Sequence, residues 1–173
     1  MSRPNVAGLD LSLSRTGIAH PDGTTTSTKV RPATLKGGPR LAQILEQLDG
    51  LFLQPLDLVV IEDYSPGSVG IAGKLANAEL HGCVLLRCAK VGVPVAKVRP
   101  SALKRWATGN GSADKNDMIS AAHRAGWDGD SHDEADAFHL RGIGLHHLTG
   151  ESDPARQEWA DAVTWPDVAW SAS

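Results

Sequence analysis

One aspartate sits inside an otherwise apolar run, Val6-Ala7-Gly8-Leu9-Asp10-Leu11-Ser12-Leu13, which closes on the turn-like Ser14-Arg15-Thr16-Gly17. The run reads as a buried strand. Burying an unpaired carboxylate costs several kcal/mol, so an acid in that position is paired, protonated or coordinating a cation. Two further stretches supply acids to meet it. Leu58-Val59-Val60-Ile61-Glu62-Asp63 is a second apolar strand ending in acids, and Ser131-His132-Asp133-Glu134-Ala135-Asp136-Ala137 opens a helix. Asp133 and Asp136 are three apart and share a helix face, with Cβ atoms about 5–6 Å apart. Asp10, Glu62, Asp133 and Asp136 then make a cage of oxygen donors suited to hard divalent cations of the Mg2+ or Mn2+ type. Two such ions about 3.5–4 Å apart can activate a water and hold the leaving oxygen in phosphodiester cleavage.

The 173 residues suit one well-buried core followed by a tail, with a boundary expected near 148. No apolar run approaches the roughly 18 residues of a membrane span and no charged-then-apolar leader opens the chain, so a cytoplasmic protein with no membrane partner is expected. Cys83 and Cys88 lie five apart on one expected helix and point to different faces, which suits core packing and neither a disulfide nor a zinc site. The net charge of −3 argues weakly against a nucleic-acid partner, but its distribution does not. From Val84 to Lys115 seven basic residues, among them Lys104, Arg105 and Lys115, face one acid, and from Asn116 onward three basic residues face eleven acids. A basic middle beside an acidic cluster suits a protein that holds phosphate in one place and cations in another, although any single lysine is more often a solvated charge.

In chain order, strands are expected at the first acid, at Gly17–His20 and at Thr24–Val30, an antiparallel meander. Lys36-Gly37-Gly38-Pro39 reads as a loop, and Leu41 to about Leu53 as a helix that returns the chain for Leu58–Glu62 to lie parallel to the first strand. Tyr64 to Gly70 reads as a loop. From about Ile71 to Val91 a long helix is apolar on more than one side, which suits two partners, the sheet and a second subunit. A strand over 92–98, a short basic helix from Pro100 to Trp106, and a helix capped by Ser112 or Asp114 and running to about Ala125 follow. Ser131 with Glu134 forms the pattern of a capping box at the last helix, which gives Glu134 a structural role. His132, beside Asp133, is a local variation or a general base on other readings and is read here as a structural first-turn helix residue. Surface and dipole roles suffice for His139, His146 and His147. The tail from Thr149 carries Trp159, Trp165 and Trp170 among acids and reads as a small amphipathic helix or an extension without chemistry.

This order of elements, with acids at the first strand, the fourth strand and a C-terminal helix, resembles the RNase H-like α/β fold: a mixed sheet of a three-strand antiparallel meander plus parallel strands, with helices on both faces. Within it the chain is most similar to the RuvC-type Holliday junction resolvases. The residues that carry the likeness are Gly8-Leu9-Asp10 with Thr16-Gly17, Ile61-Glu62, Pro100-Ser101-Ala102-Leu103-Lys104, Thr108-Gly109-Asn110-Gly111-Ser112-Ala113-Asp114-Lys115 and Asp133-Glu134-Ala135-Asp136-Ala137. They span roughly residues 5–148 in order.

The resemblance implies that Asp10, Glu62, Asp133 and Asp136 bind two Mg2+ ions, with Mn2+ able to substitute. It implies that Lys104 and Lys115 contact scissile-strand phosphates, with Arg105 beside them. It further implies a homodimer through the helix 71–91 that cuts four-way junctions symmetrically to leave 5′-phosphate and 3′-hydroxyl ends. The family often has Pro-Gly after its first aspartate where this chain has Leu11-Ser12, and an aromatic three residues after its second acid. That place is Ser65 here, with Tyr64 beside it as the aromatic able to stack on a base. Other readings are a nuclease of the same fold for flaps, forks or hybrids, and a DNA-binding module with a decayed site. The first loop also resembles the phosphate loop of the actin and sugar-kinase ATPases, but that class repeats its core twice and this chain has room for one copy.

Overall fold

In the computed structural model, which describes residues 3–63, 71–150 and 163–166, the chain forms one sheet of six strands in the order β3-β2-β1-β4-β5-β6. β1 (Val6–Asp10), β2 (Gly17–Ala19) and β3 (Thr25–Ser27) are the antiparallel meander. β4 (Leu58–Glu62) lies parallel to β1, and β5 (Val95–Val98) parallel to β4. The parallel pairing follows from α1 (Gly37–Asp49), which crosses back between β3 and β4, and α2 (Ile71–Lys90), which crosses between β4 and β5. α3 (Pro100–Thr108), α4 (Lys115–Arg124) and α5 (His132–Thr149) complete the RNase H-like arrangement.

Both faces of the sheet are covered, which is why β1 and β4 are apolar almost throughout instead of alternating. On one face Ala7, Leu9, Val59 and Ile61 pack against Ile44 and Leu48 of α1 and Leu80, Val84 and Cys88 of α2. On the other, Val6, Leu58, Val60 and Val98 pack against Leu103 of α3, Met118 of α4 and Leu140 and Ile143 of α5. Because strand side chains alternate, Asp10 shares the α5 face with Val6 and Gly8, and Glu62 shares it with Leu58 and Val60. The register pairs Leu9 with Ile61, so Asp10 and Glu62 are the next residues on adjacent strands.

Several expectations need correction. The segment 36–39 is not a loop: Gly37, Gly38 and Pro39 form the first turn of α1, where a proline sacrifices no helical hydrogen bond. The described part of the tail is not helical. Val163–Thr164 form β6, antiparallel to β5, and Trp165 stacks on His147 with ring centroids 3.6 Å apart. His139 is a core residue, its Nε2 3.1 Å from the Met118 carbonyl oxygen. Cys83 and Cys88 are both free, and burial pushes the Cys88 thiol up to about 12. Among the described residues no helix is long and apolar enough to cross a membrane.

Candidate active site

The acids meet because α5 is pressed onto the sheet at two glycines. A Cβ on Gly8 would run into the Ala137 carbonyl and the Arg141 amide, and one on Gly17 would run into the Asp133 carbonyl. Gly17 is the register partner of Asp10. The missing side chains therefore let the first turns of α5 lie against the end of β1 where Asp10 stands. Arg141 adds a tie from α5, its Nη2 donating to the Pro21 carbonyl at 2.6 Å. Asp133 and Asp136 are thereby brought over the C-terminal ends of β1 and β4, the usual place for ligands in open α/β sheets.

The acids act on one another electrostatically. Asp10 is held well above the ordinary carboxylate range, first by burial and then by repulsion from Glu62, Asp136 and Asp133. Glu62 is raised to about 7 by burial and by Asp136. Asp136 is raised to about 6 by burial and by Asp133. Oδ1 of Asp136 is buried and has no hydrogen-bond partner. Buried acids that repel one another, one of them with an orphaned oxygen, have the chemistry to take up a cation. The donor set is all oxygen, which suits a hard divalent ion. Among the described residues no group of three or more His, Cys, Asp or Glu side chains stands at metal-holding distances.

Two expected phosphate contacts lie beside the acids. Lys104 on α3 counters the upward shifts of Glu62 and Asp136, and Lys115 at the start of α4 counters those of Asp10 and Asp136. Lys115 is positioned by the cap of α4, which is Asp114 and not Ser112. Asp114 accepts from the amides of Asn116 and Asp117, and the Asp117 carboxylate accepts from the Asp114 amide, closing a capping box. Arg105 is exposed, with its guanidinium beside Gly111, and does not act on the acids. Tyr64 and Ser65 lie outside the described residues.

Around α5 the expected capping box is absent. Ser131 is the N-cap residue, but its hydroxyl makes no capping bond and is buried without a partner. The Glu134 carboxylate turns to β3, where the Thr25 hydroxyl donates to Oε2 at 2.8 Å. The Trp127 indole N–H donates to the same hydroxyl at 3.0 Å. His132 is closer to the chemistry than its structural reading suggests. It opposes the rise at Asp136, and its Nδ1 is buried without a partner.

No protein-family model matches the chain. Curated relatives do. A crossover junction endodeoxyribonuclease RuvC from Anaeromyxobacter sp. strain K is 38% identical over 120 residues, 68% of this chain and 62% of that protein. One from Rhodococcus jostii is 34% identical over 129 residues, 69% of this chain and 67% of its own length. The chain thus spans about 62% of the Anaeromyxobacter protein. Among solved structures, Thermus thermophilus RuvC in complex with a Holliday junction substrate superposes with a TM-score of 0.70 at 19% identity, over 84% of this chain and 95% of that one. That likeness fixes the RNase H-like fold, and with the acids gathered at one end of the sheet and the identity to the curated relatives, the chain belongs to the RuvC family of crossover junction endodeoxyribonucleases.

Proposed function

We propose that the protein is a divalent-metal-dependent endonuclease that resolves four-way DNA junctions by paired symmetric incisions, leaving 5′-phosphate and 3′-hydroxyl ends. The observation that carries the reading is the group of Asp10, Glu62 and Asp136, raised by burial and mutual repulsion at one end of the sheet, with Asp133 adding to the repulsion on Asp10 and Asp136. These four carboxylates would hold two Mg2+ ions, with Mn2+ able to replace them. Bound there, such ions lower the pKa of a water for in-line attack and neutralise the departing 3′ oxygen. Lys104 and Lys115 stand on the β5 side of the acids and bind the phosphates of the strand to be cut. Their charge favours the ionised, cation-ready form of the carboxylates. Arg105, Tyr64 and Ser65 are assigned to DNA contact, Tyr64 as the stacking aromatic.

Two incisions require two sites, and α2 offers the surface for a homodimer. Its Leu80, Val84 and Cys88 are buried against the sheet, while Leu75 and Leu86 are 62% and 57% exposed. Those two leucines lie eleven residues apart, about three helical turns, with Gly82 on the same face and no atom near its open Cα. An apolar stripe with a small residue at its centre suits a second copy of the same helix. Residues 1–148 form the nuclease domain and 149–173 an extension to it.

The test is cleavage of a synthetic four-way junction beside a linear duplex, a flap and a fork, with Mg2+ and with EDTA. Paired symmetric nicks confined to the junction and abolished by EDTA are expected. Equal cutting of flaps or forks would replace the assignment with a broader branched-DNA nuclease.

A further inference from the structure

A second concentration of positive charge lies on the other side of the acids. Between Leu11 and Leu45 five basic residues face a single acid, Asp22. Three of them, Arg15, Lys29 and Arg31, line a groove of about 410 Å3 together with Ser14, Thr28 and Ala33, and no acidic side chain lines it. All three are exposed, and none has a carboxylate within ion-pair distance among the described residues.

The groove is a built feature of the fold. One wall is the loop between β1 and β2, the other the segment that leaves β3. They are tied by reciprocal bonds: the Thr28 amide donates to the Thr16 carbonyl, and the buried Thr16 amide donates to the Thr28 hydroxyl, each at 2.9 Å. The second wall is braced from α1. Gln47 Oε1 accepts from the Lys29 amide at 2.8 Å and Gln43 Oε1 from the Arg31 amide at 2.9 Å. Their Nε2 groups donate back to the carbonyls of the same residues. Lys29 and Arg31 are thus held two apart on a backbone braced at both residues, and both line the same groove. Fixed cations with no acidic partner are arranged for a polyanion.

The position of the groove says which polyanion. Asp10, Gly17 and Ser27 form one row across β1, β2 and β3. At a strand spacing of about 4.8 Å, Ser27 is about 10 Å from Asp10, roughly three nucleotide rises of 3.4 Å along a strand. Arg15 lies just before this row and Lys29 just after it, at the end of the sheet where the acids are. Lys104 and Lys115 lie on α3 and α4, helices that follow β5 and pack with Val98.

We propose that the groove of Arg15, Lys29 and Arg31 is a second DNA-backbone site, holding phosphodiesters of a junction arm on the β3 side while Lys104 and Lys115 hold the strand on the β5 side. The proposal rests on the nuclease reading and adds to it an arm-binding surface outside the cutting site.

The test is binding of a fluorescent four-way junction over a series of salt concentrations, in an Asp10→Asn background so that nothing is cut. The triple variant Arg15→Gln, Lys29→Gln, Arg31→Gln is compared with Arg3→Gln, Lys90→Gln, whose charges lie at the far end of the sheet. At about 0.9 of slope per neutralised phosphate, the triple variant should flatten the log Kd against log salt plot by about 2–3 and weaken binding by about 10–100-fold. Each single substitution should remove about one step, and the far-end pair should leave the slope in place. An unchanged slope in the triple variant overturns the groove while leaving the nuclease intact, and so does an equal loss in the far-end pair. If the Asp10→Asn parent fails to bind junctions and the unmodified protein fails to cut them, the functional reading falls and the groove falls with it.

Discussion

Asp10 and Asp136 are the residues at which chemistry and stability oppose each other. Each is raised because its charge is buried among like charges, so each destabilises the metal-free protein in its ionised form. Asp10→Asn or Asp136→Asn should lower junction cleavage by about 10³-fold or more, as expected for removal of a metal ligand. The same changes should stabilise the metal-free protein at pH 8 by about 1–2 kcal/mol, or roughly 2–8 °C in Tm. Junction binding should hold or tighten, because a negative charge has left a surface that meets phosphate. Cleavage rates, calorimetry and a binding titration check the three parts, and retained cleavage in both variants would remove the metal site. Asp10 was legible because an acid inside an apolar strand conflicts with its surroundings. Glu134 was misread for the opposite reason. Its spacing from Ser131 satisfies a local capping rule, but the hydroxyl that it accepts from is Thr25, 109 residues away. Capping patterns are read within one turn of helix, and no such pattern registers a partner brought in by the sheet.

At the scale of elements, the site depends on how closely α5 approaches β1 and β2. Gly17→Ala places a methyl group against the Asp133 carbonyl, a backbone atom that cannot rotate away. Either the strand or the first turn of α5 must move. The expected result is a loss of about 1–3 kcal/mol in unfolding free energy, as for other overpacked sites, with cleavage reduced well beyond what the stability loss explains. Chemical denaturation and single-turnover cleavage below the melting range separate the two effects. A variant with full stability and full cleavage would show that the glycine is dispensable. The existence of α5, β1 and β4 was legible from periodicity, and the shared face of Asp10 and Glu62 follows from strand alternation once both strands are parallel. The start of α1 at Gly37 was not legible, because glycine and proline signal a turn until the following helix recruits them into its first turn. Nor was β6: Val163–Thr164 is two residues long and is a strand only because β5 offers an open edge.

For the molecule as a whole, the sequence separated a basic middle from an acidic end, but the net charge of −3 concealed that the acids sit between two basic flanks. Only the fold brings Arg15 beside Lys29 and Arg31. The acids also give the whole protein a pH response. In the unfolded chain these carboxyls titrate near their ordinary values of 3.8 and 4.5, whereas in the folded state Asp136 titrates at about 6 and Glu62 at about 7. The folded state therefore binds more protons than the unfolded state between about pH 4 and 7, and stability falls as pH rises through that window. In EDTA, Tm should decline from pH 5 to pH 8, and Asp136→Asn should flatten part of the decline. A divalent ion binds the ionised carboxylates and must displace protons at low pH, so its effect runs the other way. Saturating Mg2+ should raise Tm little at pH 5 and by several degrees at pH 8. Thermal unfolding across that range, with Mg2+ and with EDTA, reads both trends at once. If the metal-induced increment were independent of pH, the carboxylates that titrate would not be the groups that hold the metal.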